Sequence, residues 1–284
     1  MAIGLLMLAA GVGAGLFGSL LGLGGGILIV PILTLGFGLP VREAIGVSLV
    51  CVIVTSSAAA GVYLERRVAN LRLGMTLELF TAAGAIVGGA IAFLLDERLL
   101  AGLFAVVLAY VAVTMLRSRA ADEAAPAAPA TLGVGAPADV PRSVPPPTPG
   151  EQTGSWDGNR RTRRFGLAAV LSVVAGVVSA LLGIGGGLIK VPIMHLLLRV
   201  PLRAATATSN LMIGITASTS AIVYLLRGGI DAYAVGPTAI GVFLGASVGS
   251  RLGHRLDLRI LRDLFVAVLL YTALQMALRA AGTS

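Results

Sequence analysis

Gly22-Leu23-Gly24-Gly25-Gly26-Ile27-Leu28-Ile29-Val30-Pro31 interrupts an apolar run, and Gly183-Ile184-Gly185-Gly186-Gly187-Leu188-Ile189-Lys190-Val191-Pro192 repeats it 161 positions later. Each glycine in a helix interior weakens it by about 1 kcal/mol relative to alanine. The proline that follows removes a backbone donor and kinks what remains. The same interruption at equivalent places in two apolar runs predicts a helix broken twice by design of the fold. On both sides the sequence is apolar for long stretches.

Outward from these motifs the duplication continues without a gap. Pro40, Arg42, Ala44 and Ser48 fall on Pro201, Arg203, Ala205 and Ser209, and Thr55, Ser57, Tyr63 and Arg66 on Thr216, Ser218, Tyr224 and Arg227. Gly84, Gly88, Asp96, Phe104 and Tyr110 fall on Gly245, Gly249, Asp257, Phe265 and Tyr271. Two homologous repeats, 1–118 and 165–284, therefore flank 119–164, whose Pro/Ala-rich composition buries too little apolar surface to fold. That linker is expected to be disordered and outside a membrane.

The chain is 57% hydrophobic and 12% charged, with a mean hydropathy of +0.95. Soluble proteins carry roughly 25% charged residues, so much of this surface must face something other than water. A hydrocarbon layer of about 30 Å takes roughly 20 apolar residues per helix. The reading is an all-α, polytopic transmembrane helical bundle with about four spans per repeat. The spans run over 3–36, 43–64, 73–95 and 99–117, then 165–198, 204–226, 232–253 and 260–279, the first of each set broken at its glycines. Backbone in hydrocarbon must satisfy its own hydrogen bonds, which makes these spans helices. Alternating short segments, the mark of a β-barrel, are missing from the sequence. The first apolar stretch lacks a basic leader and is expected to be a mature helix, not a cleaved signal.

Four crossings per repeat make the repeats parallel; if the two pieces of the first span cross separately, there are five and the repeats are inverted. On eight crossings, twelve arginines collect on one side and eight on the other. The excess places both termini and the linker in the cytoplasm of a bacterial cell, with the protein multi-pass in the inner membrane. The net charge of +8 is explained by those loops, and no basic face with interleaved aromatics points to nucleic acid. The partners expected are a small anionic solute and the lipid bilayer, with homo-oligomer formation left open. Cys51 is the only cysteine, which rules out an internal disulfide and a cysteine metal cluster.

The candidate substrate-binding residues follow from the breaks. Gly24, Gly25 and Gly26, with Gly185, Gly186 and Gly187, let an anion approach backbone N–H groups closely; close helix packing through small residues is the alternative. Lys190 stands where the first repeat has Ile29. A lysine in an apolar span costs roughly 3 kcal/mol and must face a cavity, a counter-charge or the surface. Glu78, with Ala239 opposite it in the second repeat, is a possible coupling residue, a partner for Lys190, or a surface group. Ser48 and Thr55, like Ser209 and Thr216, are two turns apart and share a helix face; Asn210 adds polarity beside them. These groups can hydrogen-bond an oxyanion reversibly, or simply bond neighbouring helices. Arg42 and Arg203 open spans after prolines and are expected to anchor helix ends. His195, His254 and Trp156 receive no role.

No Walker loop, His-Glu-x-x-His or nucleophile elbow is present in the sequence. The chain is expected not to be an enzyme, and no cofactor or metal is called for. With the glycine cluster, the Val-Pro step and the hydroxyl-rich following span all duplicated, the sequence resembles the TauE/SafE family, also termed sulfite exporters or the toluene-sulfonate uptake permease family. The resemblance rests on Gly22 to Pro31 with Pro40 to Thr55, and on Gly183 to Pro192 with Pro201 to Thr216. It implies secondary transport of small anions, often sulfur oxyanions or organosulfonates such as sulfite or sulfoacetate, across the inner membrane. A passive anion channel, or a carrier of another small solute, is the alternative.

Overall fold

The computed structural model describes residues 2–21, 26–65, 71–124, 158–198, 200, 202–252 and 258–282, with side chains toward several helix ends left aside. Gly24, Gly25 and most of the linker lie outside the described residues, as does the Asn210 side chain. What is described is helical. The first half comprises α1 (Ala2–Leu21), α2 (Gly26–Pro31), α3 (Val41–Glu65), α4 (Leu71–Ala92) and α5 (Glu97–Ala124). The second comprises α6 (Gly158–Leu182), α7 (Gly187–Pro192), α8 (Leu202–Leu226), α9 (Ala232–Leu252) and α10 (Leu258–Ala281). Adding 161 to the bounds of α2 or α3 returns those of α7 or α8.

Each proline ends its short helix in a π turn, Ile32–Gly36 after α2 and Ile193–Leu197 after α7. Proline cannot donate to the carbonyl one turn back and its ring crowds that carbonyl, so the helix widens there. In the first turn the Thr34 hydroxyl donates to the Val30 carbonyl at 2.8 Å. Each short helix runs back against the direction of the long helix before it. Ile29 and Leu33 line one crevice with Ala10 and Ala14 of α1. Gly26 lies at Ser48, mid-way along the core stretch of α3, while the Thr34 carbonyl accepts from Arg279 near the end of α10. The expected broken span 3–36 is thus a helical hairpin, whose second arm returns toward the end from which α1 set out. A kink within one crossing would have kept the chain going forward.

Helix directions follow from where glycines admit a neighbour's backbone. A Cβ on Gly84 would collide with the Val173 carbonyl and one on Gly88 with that of Val177, so α4 and α6 run side by side in the same direction. Gly11 meets Thr238 and Gly245 meets Val12 in the same way, aligning α1 with α9. By contrast Gly46 meets Gly229 while Gly214 meets Ser56, so α3 and α8 oppose each other. Arg98 meets Gly282 and Gly102 meets Ala280, so α5 and α10 also oppose. The first helix of each half therefore packs on the third long helix of the other half.

These directions put the start of α1 and the end of α10 at one end of the bundle, and the end of α5 and start of α6 at the other. The eight-crossing reading had both termini and the linker on one side. The difference is the hairpin: the reversal inside the first span flips α3 to α6 and carries the linker to the other end, and the second reversal restores the directions of α8 to α10.

Leu79, Ile86, Val106, Val170, Ile240, Leu264 and Leu274 point outward and are exposed. Among the described residues four stretches are long and apolar enough to cross a membrane: Leu73–Ala92, Glu97–Leu116, Ala232–Gly249 and Asp263–Ala281. Inside, Ile27, Ile29, Leu33, Ile45, Leu49 and Val52 form a core with Phe104, Tyr224 and Phe265. Water is excluded from that core, so Tyr224, fully buried, finds its partner in the Ala180 carbonyl at 3.1 Å.

Candidate functional site

The second glycine segment is a true break. Gly183, Gly185 and Gly186 have φ of 67°, 79° and 76°. A side chain in this left-handed region costs roughly 1–2 kcal/mol, so the turn between α6 and α7 depends on glycine. Gly186 caps α7, and its carbonyl accepts from the Lys190 amide at 3.2 Å. The helical turn thus begun aims Lys190 inward, where its side chain is 2% exposed.

There Lys190 Nζ donates to Glu78 Oε2 at 2.8 Å and to the Thr216 hydroxyl. Thr216 in turn donates to Glu78 Oε1, and its oxygen also lies 3.1 Å from the Met212 carbonyl. An ammonium, a hydroxyl and a carboxylate from α7, α8 and α4 close a three-membered ring of charge-assisted bonds. Of the three readings open for Glu78, partnership with Lys190 is what the structure shows. The surface position fails because the Glu78 side chain is 5% exposed, held under α8.

Two further hydroxyls stand close by. Ser179 and Ser209 are fully buried and neither has a hydrogen-bond partner. A Cβ placed on Gly186 would lie 3.4 Å from Ser179 Oγ and 3.5 Å from Lys190 Cε; one on Gly187 would lie 3.6 Å from Ser209 Oγ. The backbone of Gly186 and Gly187 therefore lies beside two unengaged hydroxyls and the stem of the buried lysine, with Ile213 packed tightly against Gly187. Unpaired buried hydroxyls cost about 1–3 kcal/mol each. Such a cost at the only buried lysine is an arrangement suited to receiving an acceptor-rich ligand.

The other expected site residues divide. The Ser48 hydroxyl lies 3.1 Å from the Gly26 carbonyl and 2.9 Å from that of Gly183, tying the two glycine segments together. Its proton serves one of them at a time, and its role here is inter-helix bonding. Thr55 donates within its own helix, to Cys51 or Val52. Gly26 and Gly185 are tightly packed: a Cβ on either would come within 3 Å of Val52. Ile29, the first-half equivalent of Lys190, is buried in the apolar core, and Ala239 packs against that core. The polar ring is therefore on one side only. Arg42 donates to the Ala92 and Leu95 carbonyls and lies 5.2 Å from the centre of the Phe93 ring, so it anchors the end of α4 as expected.

Ser179 was not singled out in the sequence. Its signal was available: it replaces Gly18 of the first half, just as Lys190 replaces Ile29. Departures from the duplication toward polarity mark this site.

The conformation is closed. Neither charged group reaches the outside, and the crevice between α1, α2 and α9, lined by Ala14, Ile29, Leu33 and Thr238, is too narrow to hold water.

Comparison with known proteins places the chain among transporters. It is similar to the probable membrane transporter protein YunE of Bacillus subtilis (strain 168), 26% identical over 274 residues that cover 93% of this chain and 94% of YunE. It is also similar to the probable membrane transporter protein MamO of Paramagnetospirillum magneticum, 28% identical over 96% of this chain but only 44% of MamO, so it spans less than half of that relative. The probable membrane transporter protein YdhB of Bacillus subtilis is 25% identical over 84% of this chain and 85% of its own length. No solved structure matches. The model of the Sulfite exporter TauE/SafE family matches residues 7–276, almost the whole sequence, and the protein is a member of that family of membrane transporters.

Proposed function

We propose that this membrane transporter moves small anions, sulfur oxyanions or organosulfonates such as sulfite or sulfoacetate, driven by a solute or ion gradient and not by nucleotide hydrolysis. One observation carries the reading: the buried Lys190 sits beside the bare Gly186–Gly187 backbone and the unengaged Ser179 and Ser209 hydroxyls. A cation with neutral donors around it suits an oxyanion, and no second fixed cation is present among the described residues nearby to make release slow. The closed conformation suits a carrier between its two open forms, since an open pore would expose Lys190 to solvent.

In the same reading the two halves are repeats of inverted topology. The opposed directions of α3 and α8, and of α5 and α10, support it, since equivalent helices of parallel repeats would cross the membrane the same way. Sorting the twenty arginines by the bundle end their flanking helices reach puts sixteen at the end shared by α5 and α6 and four at the other. That contrast is sharper than the eight-crossing one, and it puts the linker in the cytoplasm and both ends of the described chain on the opposite side of the inner membrane.

The test is flux in proteoliposomes holding the purified protein, with sulfite, thiosulfate, sulfoacetate and sulfate as probes. Saturable movement of at least one, inhibited by at least one of the others, is expected. If none of the four moves or competes, the anion reading fails.

A further inference from the structure

In the closed structure Glu78 already occupies Lys190, and that has a consequence for any anion that binds there. The groups facing this pair are few. Glu78 is the one titratable side chain described on α4 between residues 73 and 92, and α6 offers none between 166 and 182. From α8 come Thr216 and, two turns on, Tyr224, whose hydroxyl is engaged with Ala180. From α7 comes Lys190, and the His195 side chain beyond it lies outside the described residues.

An incoming anion would therefore place two negative charges against one positive charge in a space closed to bulk solvent. Buried charge without a counter-charge costs several kcal/mol, and two carboxylate-like groups sharing a site do not both stay ionised. A proton on Glu78 removes the conflict. The site then holds an ammonium, a neutral acid and a monoanion, and its net charge is zero. Empty and closed, with the ammonium paired to the carboxylate, its net charge is also zero. Both forms can sit in the bilayer at similar electrostatic cost.

Thr216 is placed to permit the exchange. In the closed form its proton goes to Glu78, but its oxygen is also 3.1 Å from the Met212 carbonyl. When Glu78 becomes an acid the hydroxyl can turn its proton to Met212 and accept from Glu78 instead. Lys190, Ser179 and Ser209 are then free to donate to the oxygens of the anion.

We propose that Glu78 is a tethered counter-anion, which a transported monoanion displaces from Lys190 only as Glu78 takes up a proton, so that one proton travels with each anion. The proton comes from the medium on the loading side and returns to the medium on release, and no covalent bond is made or broken. Sulfate leaves the loaded site with a net negative charge and is poor cargo, whereas sulfite and sulfoacetate can enter as their singly protonated monoanions.

This rests on the anion-transport reading, and the experiment separates the two. The full-length protein in proteoliposomes, with the membrane potential clamped at zero, is given sulfite or methanesulfonate. Methanesulfonate keeps a single negative charge at every working pH, so a pH effect on its movement belongs to the protein. Expected for the wild type is about tenfold accumulation for an acid-outside gradient of about one pH unit. Glu78→Gln, which has no carboxyl to protonate, is expected to show no gradient-driven accumulation. Wild-type movement without gradient-driven accumulation, or accumulation that survives in Glu78→Gln, overturns the proposal while leaving anion transport standing. Absence of movement of these and of the four anions above overturns both. A pH-sensitive dye inside the vesicles gives a readout that needs no variant: about one proton per methanesulfonate is expected, and none overturns the coupling.

Discussion

Glu78 and Lys190 are 112 residues apart in sequence and 2.8 Å apart in space, both side chains buried inside the bundle. Each is the only charged group the other has among the described residues around it. Their mutual dependence makes the first prediction.

Lys190→Met or Glu78→Leu alone leaves one unpaired charge in the core and is expected to cost about 3–5 kcal/mol. The double variant removes both charges and recovers most of that loss, because apolar groups of similar volume pack well in the same space. Thermal unfolding in detergent measures this. Single and double losses that simply add would show the pair to be energetically independent.

Lys190→Met also tests the site. Combined with Glu78→Leu to keep the fold, it is expected to abolish saturable anion movement. Unchanged affinity for every transported anion in the double variant would remove Lys190 from the binding site.

Thr216 bridges the pair, and its hydroxyl is what matters. Thr216→Val strands donor and acceptor alike and is expected to cost about 1–3 kcal/mol, whereas Thr216→Ser retains the bridge and loses well under half as much. The comparison is read from unfolding midpoints of the two variants in one detergent.

Glycines differ sharply in what they tolerate. Gly186→Ala puts a side chain at φ 76° against Ser179 and Lys190, and it is expected to lower both stability and transport. Gly13 has nothing near its missing Cβ, so Gly13→Ala is expected to be neutral or to stabilise α1 by up to about 1 kcal/mol. If both substitutions behave alike, backbone geometry at the turn is not what fixes Gly186.

The helix directions predict sidedness. Cys51 is fully buried, so a cysteine introduced at Ser143 in the linker or at Thr283 near the C-terminus can be labelled selectively. In intact cells a membrane-impermeant maleimide is expected to label Thr283→Cys and to spare Ser143→Cys until the membrane is opened. Labelling of both, or of neither, before lysis contradicts the placement of the termini opposite the linker.

Much of this protein was legible in its amino-acid order. The glycine and proline interruptions are local chemistry: Gly185 and Gly186 need no distant contact to favour a left-handed turn that breaks a helix, and a proline always removes a donor. The long apolar runs and the 161-residue duplication are also properties of the chain alone, and so is the expense of a lysine among leucines, which drew attention to Lys190. What the chain could not tell was whether the break at Gly22 to Gly26 kinks a crossing or reverses it, because both conformations satisfy the same local rules. That choice depends on Gly26 finding room beside Ser48 and Val52, and on Arg279 of α10 reaching the Thr34 carbonyl. The partner of Lys190 was equally undecided, since three readings of Glu78 fitted the sequence. Only the exchange of helices between halves, with α4 lying along α6 and α8, brings that carboxylate to that ammonium. A buried charge advertises itself in sequence by what it costs; its counter-charge is chosen by packing, which acts between residues that the chain keeps far apart.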